Sequence, residues 1–346
     1  MMRKVSVRLA LGLFGVFPAA GLWAQALPSV EVPTPSSDAH PYILPIMGDA
    51  VAERGIGLPL PFGVMVNQFS GIQYLQLTGL KVGFGSSELI PLDEIVRFEE
   101  VSAVAHSPNV RIDAWLLPFL NVYGIGGYGT TDVTVRIAEP FALETKTPSN
   151  GGFVGFGFLA AGAYQNVMFS LDFNHQWIYT DKLDEPAEVA ISGFRTGPIF
   201  RSKTRPDQNW VVWTGVMRTS LNSETKGQIA MDEVFPDLDQ RVGGFIDGLD
   251  AWYNGLNPVK QALYQGPYEA LRGQLENAEM AADDGVIRYQ MQKVIPNPWN
   301  LLIGVQYQLN PRWQFRAEYQ GLGDREGGLL SVNYRFGIRG KTWFGQ

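Results

Sequence analysis

The nine residues Arg312 to Gln320 alternate strictly between apolar and polar, and this pattern restricts the fold more than any other feature of the chain. Trp313, Phe315, Ala317 and Tyr319 alternate with Arg312, Gln314, Arg316, Glu318 and Gln320. Successive side chains of a strand point to opposite faces, so one face is apolar and aromatic and the other charged or amide. The same period recurs in Leu330, Val332, Tyr334 and Phe336 against Ser331, Asn333 and Arg335, and in Val167, Phe169, Leu171 and Phe173 against Ser170, Asp172 and Asn174. It returns in Val110, Ile112, Ala114 and Leu116 around Arg111 and Asp113, in Val133, Val135 and Ile137 around Thr134 and Arg136, and in Ile287, Tyr289 and Met291 against Arg288, Gln290 and Gln292. Turn signals at Leu117-Pro118-Phe119, Leu309-Asn310-Pro311 and Leu322 to Gly328 separate such runs. The spacing predicts about 12–14 strands of roughly 8–13 residues, bracketing the ~9–11 that a tilted strand needs to cross a hydrocarbon layer.

Strands of this kind bury their apolar face either inward, in a soluble sandwich or barrel, or outward, against lipid. The N-terminus favours lipid. Arg3, Lys4 and Arg8 precede an apolar stretch from about Leu9 to Ala20, with small-residue cleavage signals at Leu22-Trp23-Ala24 and Ala24-Gln25-Ala26. Residues 1–24 therefore read as a secretory signal peptide, cleaved near residues 24–26. Downstream no run of apolar residues is long enough for a membrane helix. Aromatics at predicted strand ends (Tyr123, Tyr128, Trp177, Tyr179, Trp210, Trp213, Trp299, Trp343) suit interfacial girdles. Open strand edges cannot exist in lipid, so the sheet must close. The chain has no cysteine, which removes disulfides and thiolate metal sites.

Two segments break the period. Residues 25–58 are rich in Pro and Ser and read as an extended leader. Between 238 and 284 the apolar spacing turns helical: Val242, Phe245, Ile246, Leu249, Trp252, Tyr253 and Leu256 fall three or four apart. Asn257 and Pro258 read as the cap and first residue of a second helix, which Pro267 interrupts or kinks. Thr225–Met231 and Val286–Lys293 are placed to pair at the base of this helical hairpin. Residues 222–285 hold 12 acidic and 4 basic residues, so most of the negative charge sits in the insert.

The last predicted strand, with Leu330, Val332, Tyr334 and Phe336 at alternate positions and an aromatic at its end, resembles the terminal strand of Gram-negative outer-membrane β-barrel proteins. That resemblance implies an all-β fold, an antiparallel transmembrane β-barrel over residues 59–340 carrying the helical insert 238–284. It also implies that these four residues are the signal read by the barrel-assembly machinery, and that outer-membrane lipid and lipopolysaccharide surround the protein. Residues 341–346 form a tail beyond it, and Trp343-Phe344 allow the alternative that the strand runs on.

The polar strand face then points into a lumen. Arg111, Asp113, Arg136, Asp172, Arg288, Arg312, Arg316, Glu318 and Arg335 are the lumen-lining candidates, six basic and three acidic. Charges so placed need partners or water. The expected function is a porin-like channel for small hydrophilic solutes, mildly favouring anions. The alternatives are a non-channel barrel whose acidic insert docks an envelope or protein partner, and a lipid-modifying enzyme using His106 and Ser107. Adjacent strand residues face opposite ways, so the enzyme reading is the weakest and no catalytic residue is expected. His175 reads as an interfacial residue and His40 as solvated. The glycines at 124–127 and 155–157 lack the lysine and helix of a phosphate loop. The pairs Asp232-Glu233 and Asp283-Asp284 read as solvated boundaries, so neither metal nor cofactor is expected. The acidic balance leaves no nucleic-acid footprint.

Overall fold

The computed structural model describes residues 40–140, 142–180, 183–221, 224–230, 238–280 and 286–340. The expected signal peptide, the leader up to residue 39, the two acidic pairs and the tail 341–346 lie outside the described residues.

Ten strands close into one antiparallel barrel. In chain order they are β1 (Phe62–Tyr74), β4 (Arg97–Leu117), β5 (Leu120–Glu139), β6 (Leu143–Tyr164), β7 (Val167–Thr180), β8 (Ala187–Arg201), β9 (Asn209–Leu221), β12 (Trp299–Gln308), β13 (Trp313–Gly321) and β14 (Arg325–Phe336). Closure joins β1 to β14 on one side, with Phe62 opposite Phe336, and to β4 on the other, with Phe62 opposite Ala114. The end that holds Phe62 and Phe336, here the terminal end, carries tight turns. Between β6 and β7 only Gln165 and Asn166 intervene, both with positive φ, as a two-residue hairpin in right-twisted strands requires. The opposite, loop end carries the long excursions, including the continuation of β4, β5 and β6 past the neighbouring strands.

Outward faces explain the alternation. Ile112, Leu171, Ile303 and Leu330 are 64%, 59%, 60% and 63% exposed, an apolar belt that water would not tolerate. Phe200, Trp210 and Trp313 ring its terminal margin, and Tyr128, Tyr179 and Trp299 its loop margin. Among the described residues no helix is long and apolar enough to cross a membrane, and the apolar belt is carried by the strands. Two of the aromatics expected in the girdles are elsewhere: Tyr123 and Trp213 are buried, pointing into the lumen.

The expected barrel of about 12–14 strands is corrected to ten, because four strands of similar pattern leave it. These are β2 (Gln76–Phe84), β3 (Ile90–Pro91), β10 (Glu224–Ala230) and β11 (Val286–Val294), which form a separate sheet in the order β10-β11-β2-β3. The strands preceding or following them in the chain, β1, β4, β9 and β12, flank the β13–β14 hairpin in the barrel. That hairpin turns back at Leu322–Asp324, so the flanking segments meet beyond it and β11 pairs directly with β2.

Helices α2 (Leu238–Asn254) and α3 (Pro258–Met280) pack on this sheet, and a short α1 (Gly48–Ala52) lies in the leader. Leu249, Leu271 and Leu275 bury against Leu80, Leu92 and Ile95, giving the cap a core of its own. Asn257 accepts from the Lys260 N–H at 3.0 Å, capping α3, which runs through Pro267 without a break. The two segments expected at the helical base do pair, with Thr225 opposite Met291. Leu249→Ala is expected to lower cap stability by about 2–5 kcal/mol, the cost of an interior truncation. Amide exchange should rise in α2 and α3 and stay unchanged in the barrel; equal protection in both proteins would refute a separate cap core.

Candidate functional site: the barrel lumen

One cavity of about 710 Å³ has lining that extends from Tyr42, Leu58 and Leu60 at the terminal mouth to Thr131, Thr180 and Arg325 at the loop mouth. Strand period places Arg111 and Asp113 of β4, Asp172 of β7, Arg316 and Glu318 of β13 and Arg335 of β14 on its wall, six of the nine sequence candidates.

The other three are elsewhere. Arg136 stands on the part of β5 beyond the loop rim, bonded to Glu100 at 2.7 Å and Glu144 at 2.9 Å. Its hydrogen bond holds the exposed Glu144 carboxyl below the usual range. Arg288 belongs to the cap sheet, where it donates to the carbonyls of Gly85 and Ser87. Arg312 is exposed in the β12–β13 turn.

Two arginines on the wall escaped the alternation rule, Arg195 and Arg325. The inward positions of β8 are Val189, Ile191, Gly193, Arg195, Gly197 and Ile199, so Arg195 shares its face with apolar residues and reads as facing outward. Arg325 lies in what looks like a polar loop but is the first residue of β14.

The charges form two clusters. At mid-lumen Arg195 donates to both oxygens of Glu318 from Nε and Nη2, at 2.6 and 2.9 Å, and from Nη1 to Asp172. The Trp213 indole donates to the same Glu318 at 2.9 Å. Trp213 reaches it by lying across Gly304 of β12, where any β-carbon would collide with the ring. Nearer the terminal mouth, Asn121 accepts from Arg111 at 2.8 Å and donates to Asp113 at 2.6 Å. Arg335 donates to Asp113 at 3.1 Å and to the carbonyls of Leu60 and Pro61 at 2.8 and 3.3 Å. Those two bonds hold the stretch that joins the leader to β1 at the mouth. Further along the leader, Ile43 and Ile46 bond Ile338 and Leu116.

The wall holds five arginines, Arg111, Arg195, Arg316, Arg325 and Arg335, against the carboxylates of Asp113, Asp172 and Glu318. Among the described residues no carboxylate pairs with Arg316 or Arg325. Arg316 bonds only the neutral Gln306, at 3.1 Å, and Arg325 lies 4.5 Å from the Phe69 ring. The Nε atoms of Arg316 and Arg111 are buried without a hydrogen bond, although that of Arg111 lies 4.0 Å from the Asp113 carboxylate.

The histidines take no part in the two charge clusters, although His106 borders the cavity. His106 turns to Ser70 of β1, 3.0 Å from its Oγ, and not to Ser107. Among the described residues no third group is hydrogen-bonded to its far ring nitrogen. His175 packs on Trp177 in the girdle, and His40 bonds the Leu44 carbonyl at 2.7 Å and is half-buried.

No protein-family model matches the sequence, and no curated protein matches it. Solved structures do resemble the fold. The β domain of the Bordetella autotransporter BrkA is 9% identical, with 80% of this chain and 100% of that one covered, at a TM-score of 0.37. The translocator domain of the autotransporter NalP from Neisseria meningitidis is 11% identical over 83% and 92%, at 0.34. The Pseudomonas putida toluene transporter TodX is 6% identical over 79% and 87%, at 0.28. By its own closed antiparallel barrel and outward apolar belt, the chain has the architecture of a membrane-spanning β-barrel.

Proposed function

We propose that the protein is a narrow outer-membrane channel for small solutes with a preference for anions. The observation behind this reading is the continuous lumen cavity, whose lining runs from mouth to mouth and has two more arginines than carboxylates. Guanidinium groups along a low-dielectric passage raise the local concentration of anions and disfavour cations. Ten strands enclose less space than a general porin, and the leader narrows one mouth, so passage is slow and selective. In this reading the signal peptide delivers the chain to the assembly machinery, and lipopolysaccharide surrounds the loop end.

Purified barrel in planar bilayers under a salt gradient is the test. A reversal potential on the anion side is expected, and Arg316→Glu should move it toward the cation side. Absence of ion current from folded, heat-modifiable protein would end the channel reading.

A second reading rests on the cap. Val259 and Leu263, one turn apart on α3, are 80% and 61% exposed. An uncovered apolar pair at the tip of an acidic hairpin favours docking of an envelope partner. A photo-crosslinker at position 263 that captured no protein in intact cells would remove it.

A further inference from the structure

The lumen wall is chemically lopsided. On β13 and β14 the lining residues are almost all amide, hydroxyl or charged, with Leu329 the exception. On β8 and β9 the lining is mostly apolar, through Val189, Ile191, Val211, Trp213 and Met217. The change occurs along one cross-strand row, since Gln306 of β12 stands opposite Arg316 on one side and opposite Val211 on the other. A guanidinium and an apolar surface are therefore two strands apart at the same register.

A passage for simple ions or sugars gains nothing from an apolar wall, which water wets poorly. A ligand with one charged end and one apolar end satisfies both sides. Its charge is set by Arg316, which has no carboxylate partner among the described residues; Arg111, also on the wall, is already engaged by Asp113 and Asn121 and adds only to the positive field. Glu318 and Asp172 are already bonded to Arg195 and would repel a second negative charge on the ligand. The cavity of about 710 Å³ falls within the roughly 300–1,000 Å³ of small-ligand sites, which pair apolar lining with a few placed polar groups.

We infer that the lumen binds amphipathic monocarboxylates of about the size of benzoate, the carboxylate on Arg316 and the apolar body against Val211 and Trp213. This rests on the channel reading for its purpose but not for its chemistry.

Calorimetry on the folded barrel in lipid nanodiscs separates the two. The probes are benzoate, benzamide as the uncharged isostere, and acetate as the carboxylate without its apolar body. Benzoate is expected to bind at least about tenfold more tightly than either, the difference one charge-assisted contact supplies. Arg316→Gln should bring benzoate down to the level of benzamide, and Val211→Asn should bring it down to the level of acetate. Both variants are first checked for heat-modifiable migration. Equal binding of benzoate and benzamide to the native barrel, or an Arg316→Gln barrel that keeps the preference, overturns the inference. Ion current without benzoate preference refutes the ligand and leaves the channel standing. Benzoate binding without current supports the ligand and refutes the channel.

Discussion

Glu318→Ala is expected to destabilise the barrel by about 3–5 kcal/mol, the cost of stripping one partner from a buried ion pair. Glu318 accepts two bonds from Arg195 and one from the Trp213 indole, and its side chain is 7% exposed. Its removal leaves Arg195 with Asp172 alone and Arg316 nearby on the same wall. Glu318→Gln should lie between, since the amide oxygen still accepts a bond while the charge is lost. Urea titration of the barrel in lipid vesicles, followed by tryptophan fluorescence, measures both. If the alanine variant unfolded at the native midpoint, the cluster would not be a structural brace.

Loss of the leader should have the largest effect on conductance. A chain lacking residues 25–59 keeps every barrel strand but loses Tyr42, Gly57, Leu58 and Pro59 from the cavity wall. Arg335 keeps its bonds to the Leu60 and Pro61 carbonyls, so the mouth widens without loss of that anchor. Single-channel conductance in planar bilayers is expected to rise severalfold, with the anion preference kept because the mid-lumen arginines are untouched. An unchanged conductance would move the constriction to the loop end, beneath the cap.

Much of this architecture is readable from the residues. The alternation in β13 and β14 is unambiguous because both faces are pure, and β14 stops at Phe336 where the terminal pattern ends. The helical hairpin announces itself by its changed period, and its base strands by position. What resists reading is the environment that an apolar face meets. In β2 and β11 it meets the cap, in β13 it meets lipid, and the period of two is the same in each. Hence the strand number of the barrel was too high. The site divides similarly. Asp113 and Glu318 are legible because their neighbours on the other face are apolar. Arg195 is illegible because β8 turns apolar residues inward, and that same inversion forms the apolar wall of the lumen.

A final consequence lies in where the cap sheet sits. β2 and β11 are separated by about 200 residues of sequence, yet their ladder spans the seam at which the first and last barrel strands meet. It can zip only once β1 and β12 have been drawn to either side of the β13–β14 hairpin, so it is among the late, non-local pairings. Once formed, it acts as a clasp. Unzipping β1 from β14 then demands that a second ladder and its helical cover come apart as well.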